Sequence, residues 1–278
     1  MTAAQPVLLT GAAGGVGTFL RESLPGYGHA LRLSDIAPVP GAPDALTVDL
    51  RDAAAVREAV RGVSAVIHLG GLSLEDTFDR ILGANIEGSY NLYEAVRAEG
   101  VRRVVFASSN HVVGFVPRPD PASDQANGRT GPREPLRVDT PFRPDTYYGL
   151  SKCFGESLAS LYADKYGVET VSVRIGSCFA TPRNTRMLET WLSPADAGRL
   201  FHAALTAPEV HHTVVYGTSA NTRGWWDLAP ARALGFTPLD DSEPYAAAVI
   251  AEHGELAPGT PEHGLLGGAF TVTEPAAH

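Results

Sequence analysis

The sequence predicts an α/β protein built on a doubly wound parallel sheet. Three observations carry that expectation. Short apolar runs alternate with longer amphipathic runs over the first two-thirds of the 278 residues, the pattern of strands crossed over by helices. Those apolar runs are hydrophobic at consecutive positions, as strands buried on both faces are. A glycine-rich turn, Gly11-Ala12-Ala13-Gly14-Gly15-Val16-Gly17, follows the first of them and opens a helix. A strand, a glycine turn and a helix in that order make the βα unit of a Rossmann fold.

The elements follow in order. Pro6 to Thr10 is the first strand, and the helix after the glycines runs to about Leu24. Ala30 to Ser34 and Leu46 to Val48 are the next strands. Asp52 to Val60 is helical, with Asp52 as its cap because a short carboxylate satisfies free N–H groups there. Ala65 to Leu69 is a fourth strand. A long helix spans Phe78 to Glu99 and stops at Gly100, which can take the left-handed conformation past a helix end. Val104 to Ala107 is a fifth strand. A helix from Thr146 to Tyr166 ends at Gly167, and Thr170 to Ile175 is a sixth strand. Between them, residues 117–144 carry seven prolines. That excludes regular structure and leaves a lid or a surface insertion. Residues 1–176 thus read as a nucleotide-binding domain. Residues 177–278 read as a small substrate-binding and C-terminal region: a helix at Pro194–Ala207, a strand near 212–216 that joins the main sheet, and a short helix at Tyr245–Glu252. The last twenty-five residues are rich in Gly and Pro and have no assigned element.

Composition narrows the function. A net charge of -9 argues against a nonspecific nucleic-acid binder. No apolar run approaches the roughly 20 residues that span a bilayer, and Met1 to Pro6 does not begin a signal peptide. Two cysteines, Cys153 and Cys178, make no disulfide framework and read as packed thiols in a cytoplasmic protein. His211 and His212 point apart on a strand and His111 has no companion at ligand spacing, so no metal site is expected.

The chemistry-bearing pattern is Tyr148-Gly149-Leu150-Ser151-Lys152. Only two lysines occur in the chain, against twenty arginines, and one stands four residues after a tyrosine. On a helix those side chains share a face. An ammonium there stabilises a phenolate, which turns the tyrosine into a general base. Ser109 ends the fifth strand, where ligands of such sheets bind, and can hold a substrate oxygen. Ser108 is the alternative, since adjacent strand residues face opposite ways. Asp35 ends the second strand. A carboxylate there accepts from ribose hydroxyls and repels a 2′-phosphate, so NAD is expected rather than NADP.

Gly11, Gly14, Gly17, Tyr148 and Lys152 together resemble the extended short-chain dehydrogenase/reductase family. Asn85-Ile86-Glu87-Gly88, Phe106 to Ser109 and Asp49-Leu50 are similar to its other segments. The resemblance implies catalysis by Tyr148, Lys152 and Ser109. It implies an NAD site of Gly11, Gly14, Gly15, Val16, Gly17 and Asp35, bordered by Asp49, Leu50, Leu69, Gly70, Gly71, Asn85 and Ile175, with Lys152 on the nicotinamide ribose. It also implies a homo-oligomer, for which the helix faces Asn85–Arg97 and Phe154–Tyr166 are suited.

Finer patterns resemble a uronate-oxidising branch: Gly70 to Ser73, Ser108 to His111, Arg174 to Cys178, Arg186-Met187-Leu188 and Gly224-Trp225-Trp226-Asp227. They imply oxidation at C1 of a cyclic hexuronate, D-glucuronate or D-galacturonate, to an aldarolactone. Arg186 suits the carboxylate. Ser73, Ser109, Asn110, His111, Tyr148 and Ser177 suit the hydroxyls. Arg174 is expected in an ion pair and the tryptophans in the core. The alternatives are a nucleotide-sugar epimerase or dehydratase, or a non-catalytic dinucleotide sensor. A dehydratase needs an acid where Asn110 and His111 stand, and a sensor has no use for Tyr148, Lys152 and Ser109.

Overall fold

The structure, a computed structural model, describes residues 5–118 and 134–275. The strands are β1 (Val7–Thr10), β2 (Leu31–Asp35), β3 (Leu46–Thr47), β4 (Ala65–His68), β5 (Arg103–Ser109), β6 (Glu169–Ile175), β7 (Ser177–Cys178), β8 (Trp191–Leu192) and β9 (His212–Gly217). Seven of them form one sheet in the order β3-β2-β1-β4-β5-β6-β9, with every pairing parallel. β7 and β8 pair separately. The strand order reverses at β1 and β4, which opens a crevice beyond their carboxyl ends.

The consecutive hydrophobics of each strand divide between two cores. Leu9, Ile67 and Val105 face one side with Leu20, Leu200 and Phe201. Leu8, Val66 and Val104 face the other with Leu92, Tyr93, Leu158 and Tyr162. One side is covered by helix α1 (Gly15–Ser23) and by the helix Pro194–Thr206. That second helix lies beyond residue 176, and so does β9, which pairs along β6 from Thr170↔His212 to Ile175↔Gly217. Cover and sheet are thus both completed from the C-terminal region.

Local capping follows the side chains. Asp52 accepts from the N–H groups of Ala54 and Ala55. Gly100 and Gly167 end their helices at φ 67° and 70°. The stretch Phe78 to Glu99 differs from the continuous helix expected. It is an α-helical turn (Phe78–Ile81), a π-helix (Leu82–Glu87) and an α-helix (Gly88–Glu99). The wide turns swing Asn85 inward. Its Oδ1 accepts from Leu72 N–H at 2.7 Å, and its Nδ2 donates to Leu72 O and to Ser151 Oγ, each at 2.9 Å.

The C-terminal segment left unassigned by sequence is ordered as a short helix, Pro261–Gly264, and a 3-10 turn, Gly268–Val272. It is tied to the stretch after β5 by Arg118 N–H to Gly264 O, Leu266 N–H to Val116 O and Gly267 N–H to Gly114 O. Most of the loop expected at 117–144, and any lid it forms, lies outside the described residues. Its end is anchored where Leu136 pairs with Trp226. Trp225 and Trp226 are buried and stacked at 4.6 Å, so they serve the core. Both cysteines are free and buried. No helix of the described residues is long and apolar enough to cross a membrane.

Candidate active site

A single cavity of about 1280 Å³ opens over the carboxyl ends of the strands. That exceeds the roughly 300–1,000 Å³ of one small-molecule pocket and leaves room for a dinucleotide with a second ligand beside it. At one end lies the glycine turn. Gly11 has φ +68°, and a Cβ there would stand 2.8 Å from Gly70 N. A Cβ on Gly17 would stand 2.2 Å from Gly11 O, whereas one on Gly15 would meet nothing within 4 Å. Gly11 and Gly17 are therefore needed by the fold, and Gly15 faces open space. Among the described residues the N–H groups of Gly15, Val16 and Gly17 find no acceptor. Free N–H groups at a helix N-terminus form an anion cradle, which fits a diphosphate.

Asp35 lies beside this cradle on the cavity wall. Its Oδ2 accepts from Ala13 N–H at 2.8 Å and its Oδ1 from Ala37 N–H at 3.0 Å. It is thus a turn-forming residue as well as a ribose-facing carboxylate, since each oxygen keeps a second lone pair. Asp49 borders the cavity while paired with Arg51 at 2.6 Å. Leu50, Leu69, Gly71 and Ile175 line the wall with Gly14 and Val16. Gly70 and Asn85 are not on it. Gly70 donates to Thr10 Oγ1 from behind, and Asn85 braces Leu72 against Ser151.

The reacting end is organised by the helix Tyr147–Tyr166. Thr146 caps it, and the Glu75 carboxylate accepts from the N–H groups of Tyr147 (3.1 Å) and Tyr148 (2.9 Å). Negative charge at a helix N-terminus is favourable, and here it also ties the helix to the loop after β4. Gly155 packs so closely on β5 that a Cβ would reach 2.2 Å from Phe106. Tyr148 and Lys152 consequently face the end of β5, where Ser109 lies on the same cavity.

The electrostatics differ from the expectation in one respect. Burial raises the Tyr148 phenol, Ser109 pulls it down by hydrogen bonding, and Asp145 pushes it up. Lys152 does not lead this balance, because its Nζ lies over the Tyr148 ring at 5.5 Å and over Phe106 at 5.2 Å. The i, i+4 spacing sets the shared face but not where a flexible stem ends. Ser108 donates to Glu156 instead, as expected from its opposite facing. Glu156 is paired bidentately with buried Arg174 at 2.9 and 2.8 Å.

Burial also pushes the Lys152 ammonium down to about 8. The unfolded lysine keeps its proton to about 10.5. Between those values the unfolded chain binds the extra proton, so stability rises with pH across that window. Lys152→Met is expected to raise stability at pH 7 by up to about 3 kcal/mol and to flatten that rise. Thermal melts at pH 7 and 10 check this. A melting temperature lowered at pH 7 would remove the cost assigned to the buried charge.

The substrate end is lined by Ser73, Ser109, His111, Tyr148, Ser177 and Arg186. Asn110 stands behind the wall, buried, with Nδ2 lacking a partner among the described residues. Ser177 Oγ shares a hydrogen bond with Thr190 Oγ1 at 2.8 Å. Burial lowers the Arg186 guanidinium to about 10. Its Nε and Nη2 donate to Leu266 O at 2.9 and 2.6 Å, which leaves Nη1 for a ligand. Gly267 and Phe270 on this wall, and Asp145 buried behind it, were not singled out from sequence. Asp145 precedes the helix like an ordinary turn residue, and the other two lie in the aperiodic tail. No group of three His, Cys, Asp or Glu among the described residues is arranged to hold a metal ion.

A parallel sheet with a phosphate cradle at one end of a cavity and a Ser-Tyr-Lys set at the other defines a dinucleotide-dependent oxidoreductase class. The profile of the NAD dependent epimerase/dehydratase family matches residues 7–229, and the chain belongs to that family. It is 50% identical to a uronate dehydrogenase of Pseudomonas putida over 275 residues, 97% of this chain and 96% of that protein. A glucuronic acid dehydrogenase structure from Chromohalobacter salexigens superposes with a TM-score of 0.88 at 44% identity, covering 97% of each chain. A mutant uronate dehydrogenase from Agrobacterium tumefaciens complexed with NAD gives 0.88 at 42% identity, over 99% of this chain and 100% of that one.

Proposed function

We infer that this protein is an NAD-dependent oxidoreductase acting on uronates. The observation that carries it is the Ser109, Tyr148 and Lys152 set meeting His111 and Arg186 on one cavity. Near-full-length similarity to uronate dehydrogenases supports it. Bound NAD⁺ supplies the hydride acceptor. Ser109 holds the C1 hydroxyl, and Tyr148 takes its proton. Lys152 keeps positive charge on the ribose side. Loss of hydride from C1 and of the proton from its oxygen leaves a carbonyl at C1. Because C1 also bears the ring oxygen, the product is an aldarolactone. Glucuronate and galacturonate are the proposed substrates, with Ser73 and Ser177 as hydroxyl partners and Asn110 supporting the wall from behind. The proposed cofactor contacts are Gly11, Gly14, Gly15, Val16, Gly17, Asp35, Asp49, Leu50, Leu69, Gly71 and Ile175, with Gly70 and Asn85 holding the wall from behind.

Tyr90, Leu161 and Tyr166 are exposed on the helices Gly88–Glu99 and Tyr147–Tyr166. We read that face as a subunit contact of a homo-oligomer. A cytoplasmic enzyme completes the proposal, its substrate-binding region beginning at residue 177 while β9 and the helix Pro194–Thr206 finish the sheet and core of the first region.

A substrate panel tests it. Glucuronate, galacturonate, neutral aldoses and UDP-sugars are offered with NAD⁺, and NADH is followed by absorbance. Turnover is expected with the free uronates; none with either sinks the reading. Arg186→Ala is expected to raise KM for uronates roughly 10- to 100-fold, the worth of a hydrogen bond to a charged group, and to change KM for neutral aldoses little. Equal effects on both would exclude Arg186 as the carboxylate clamp.

A further inference from the structure

Behind the cavity wall at His111 stands a buried carboxylate that the chemistry above does not use. His111 Nδ1 lies 2.6 Å from Asp145 Oδ2, and Asp145 Oδ1 accepts from the Thr146 hydroxyl at 3.0 Å. The Asp145 side chain is fully shielded. Three segments leave room for it by lacking a side chain. A Cβ on Gly114, after β5, would stand 2.0 Å from Oδ2. One on Gly267, in the C-terminal segment, would stand 1.9 Å from Oδ2. One on Gly149, in the Tyr-Lys helix, would stand 3.0 Å from Oδ1.

The imidazole is held on its faces as well. Phe270 stacks on it at 4.0 Å, and the Tyr148 ring meets it edge-on at 5.9 Å. His111 borders the cavity, and among the described residues its Nε2 carries no hydrogen bond. An ionised carboxylate only accepts, so Nδ1 holds the proton of the neutral ring and Nε2 presents a lone pair.

We propose that Asp145 is a positioning residue that locks His111 as the neutral Nδ1–H tautomer, so that Nε2 accepts a hydrogen bond from a ring hydroxyl of the substrate. This rests on the reading of His111 as a substrate contact. It adds a source of specificity. A fixed acceptor in a buried wall rejects a sugar lacking that hydroxyl, because the lone pair is then left unpaired. The charged and titratable groups facing His111 are Asp145, Tyr148 on the Tyr-Lys helix, and Arg186 from the loop before Met187. Burial and Arg186 lower the imidazole and Asp145 raises it, leaving it below the usual histidine range. The acceptor is therefore present at neutral pH and lost as pH falls through that lowered value.

Asp145→Asn is the test. The amide can donate to Nδ1 and permit the opposite tautomer. Its expected effects are a roughly ten- to hundredfold loss of kcat/KM for uronate, unchanged NAD affinity, and an acid limb moved to lower pH as the raising influence of Asp145 goes. Nitrogen NMR of the imidazole is expected to show Nδ1–H in the parent protein. A loss of activity with an unmoved acid limb, or Nε2–H in the parent, overturns the proposal. If that variant does not fold, Gly267→Ala keeps the charge but displaces it, and must give the same loss of kcat/KM with NAD affinity retained. His111→Ala separates the two layers. If it costs less than twofold, the substrate role of His111 fails. If it costs activity and Asp145→Asn does not, only the positioning role fails.

Discussion

Tyr148→Phe is expected to lower turnover by roughly 10²- to 10⁴-fold, the range supplied by a positioned general base, while NAD affinity stays nearly unchanged. The substitution removes one oxygen from a buried ring. It keeps the edge contact with His111 and the face beneath Lys152 Nζ. Helix capping is untouched, because Glu75 and Thr146 bond to the backbone. Loss of rate therefore reports the hydroxyl alone. Initial rates with glucuronate, beside calorimetric titration with NAD⁺, separate chemistry from binding. Turnover above a tenth of the parent rate would remove Tyr148 as the base. The basic side of the pH profile carries further information. A phenol raised by burial reaches its phenolate at higher pH than a free one, so the polypeptide alone does not poise it at neutrality. The positive nicotinamide ring is the further charge that the proposed activity brings to it.

The parts of this site that were legible in the sequence are those whose signal is local. The glycine turn, the Asp52 cap and the glycines after Glu99 and Tyr166 act on neighbours one to four residues away, and their residue types state the backbone conformation required. Strands buried on both faces are legible for the same reason, since each pair of adjacent hydrophobics names two cores. The π-helix was not legible. Its apolar spacing matches an α-helix, and the extra residue per turn is imposed by Asn85 reaching Leu72 and Ser151. The second half of the substrate wall and the residues behind it were hidden for a different reason. Asp145, Leu266, Gly267 and Phe270 meet His111 and Arg186 only in three dimensions, and the C-terminal segment has no periodicity to place it. From sequence, Arg186 is a cation suited to the carboxylate, with its whole fork available. In the fold, the Nε–Nη2 edge of its fork is already bonded to Leu266 O, a partner eighty residues away. The contact proposed for it with the uronate carboxylate is then one made through Nη1.

Gly17→Ala and Gly15→Ala are expected to separate the two duties of the glycine turn. At Gly17 the added methyl would stand 2.2 Å from Gly11 O and 2.9 Å from Ala12 Cα. Both are backbone atoms in a turn held by Gly14 N–H to Gly11 O and Ala12 N–H to Ser34 O, so neither can rotate away. Overpacking of this kind costs about 1–3 kcal/mol, which lowers the melting temperature of a chain this size by roughly 2–12 °C. The displaced turn should also lose NAD. At Gly15 the methyl meets nothing within 4 Å, and the position opens helix α1. Alanine is preferred to glycine in a helix by up to about 1 kcal/mol, so Gly15→Ala should hold or raise the melting temperature. Its methyl projects into the space beside three free N–H groups, and only a ligand can collide with it there. NAD affinity is therefore expected to fall for both variants, but with opposite changes in stability. Thermal melts with and without NAD⁺ read both quantities at once, because a bound ligand raises the melting temperature by mass action. If Gly15→Ala kept the full NAD-induced rise, the diphosphate would have to sit elsewhere than over this turn.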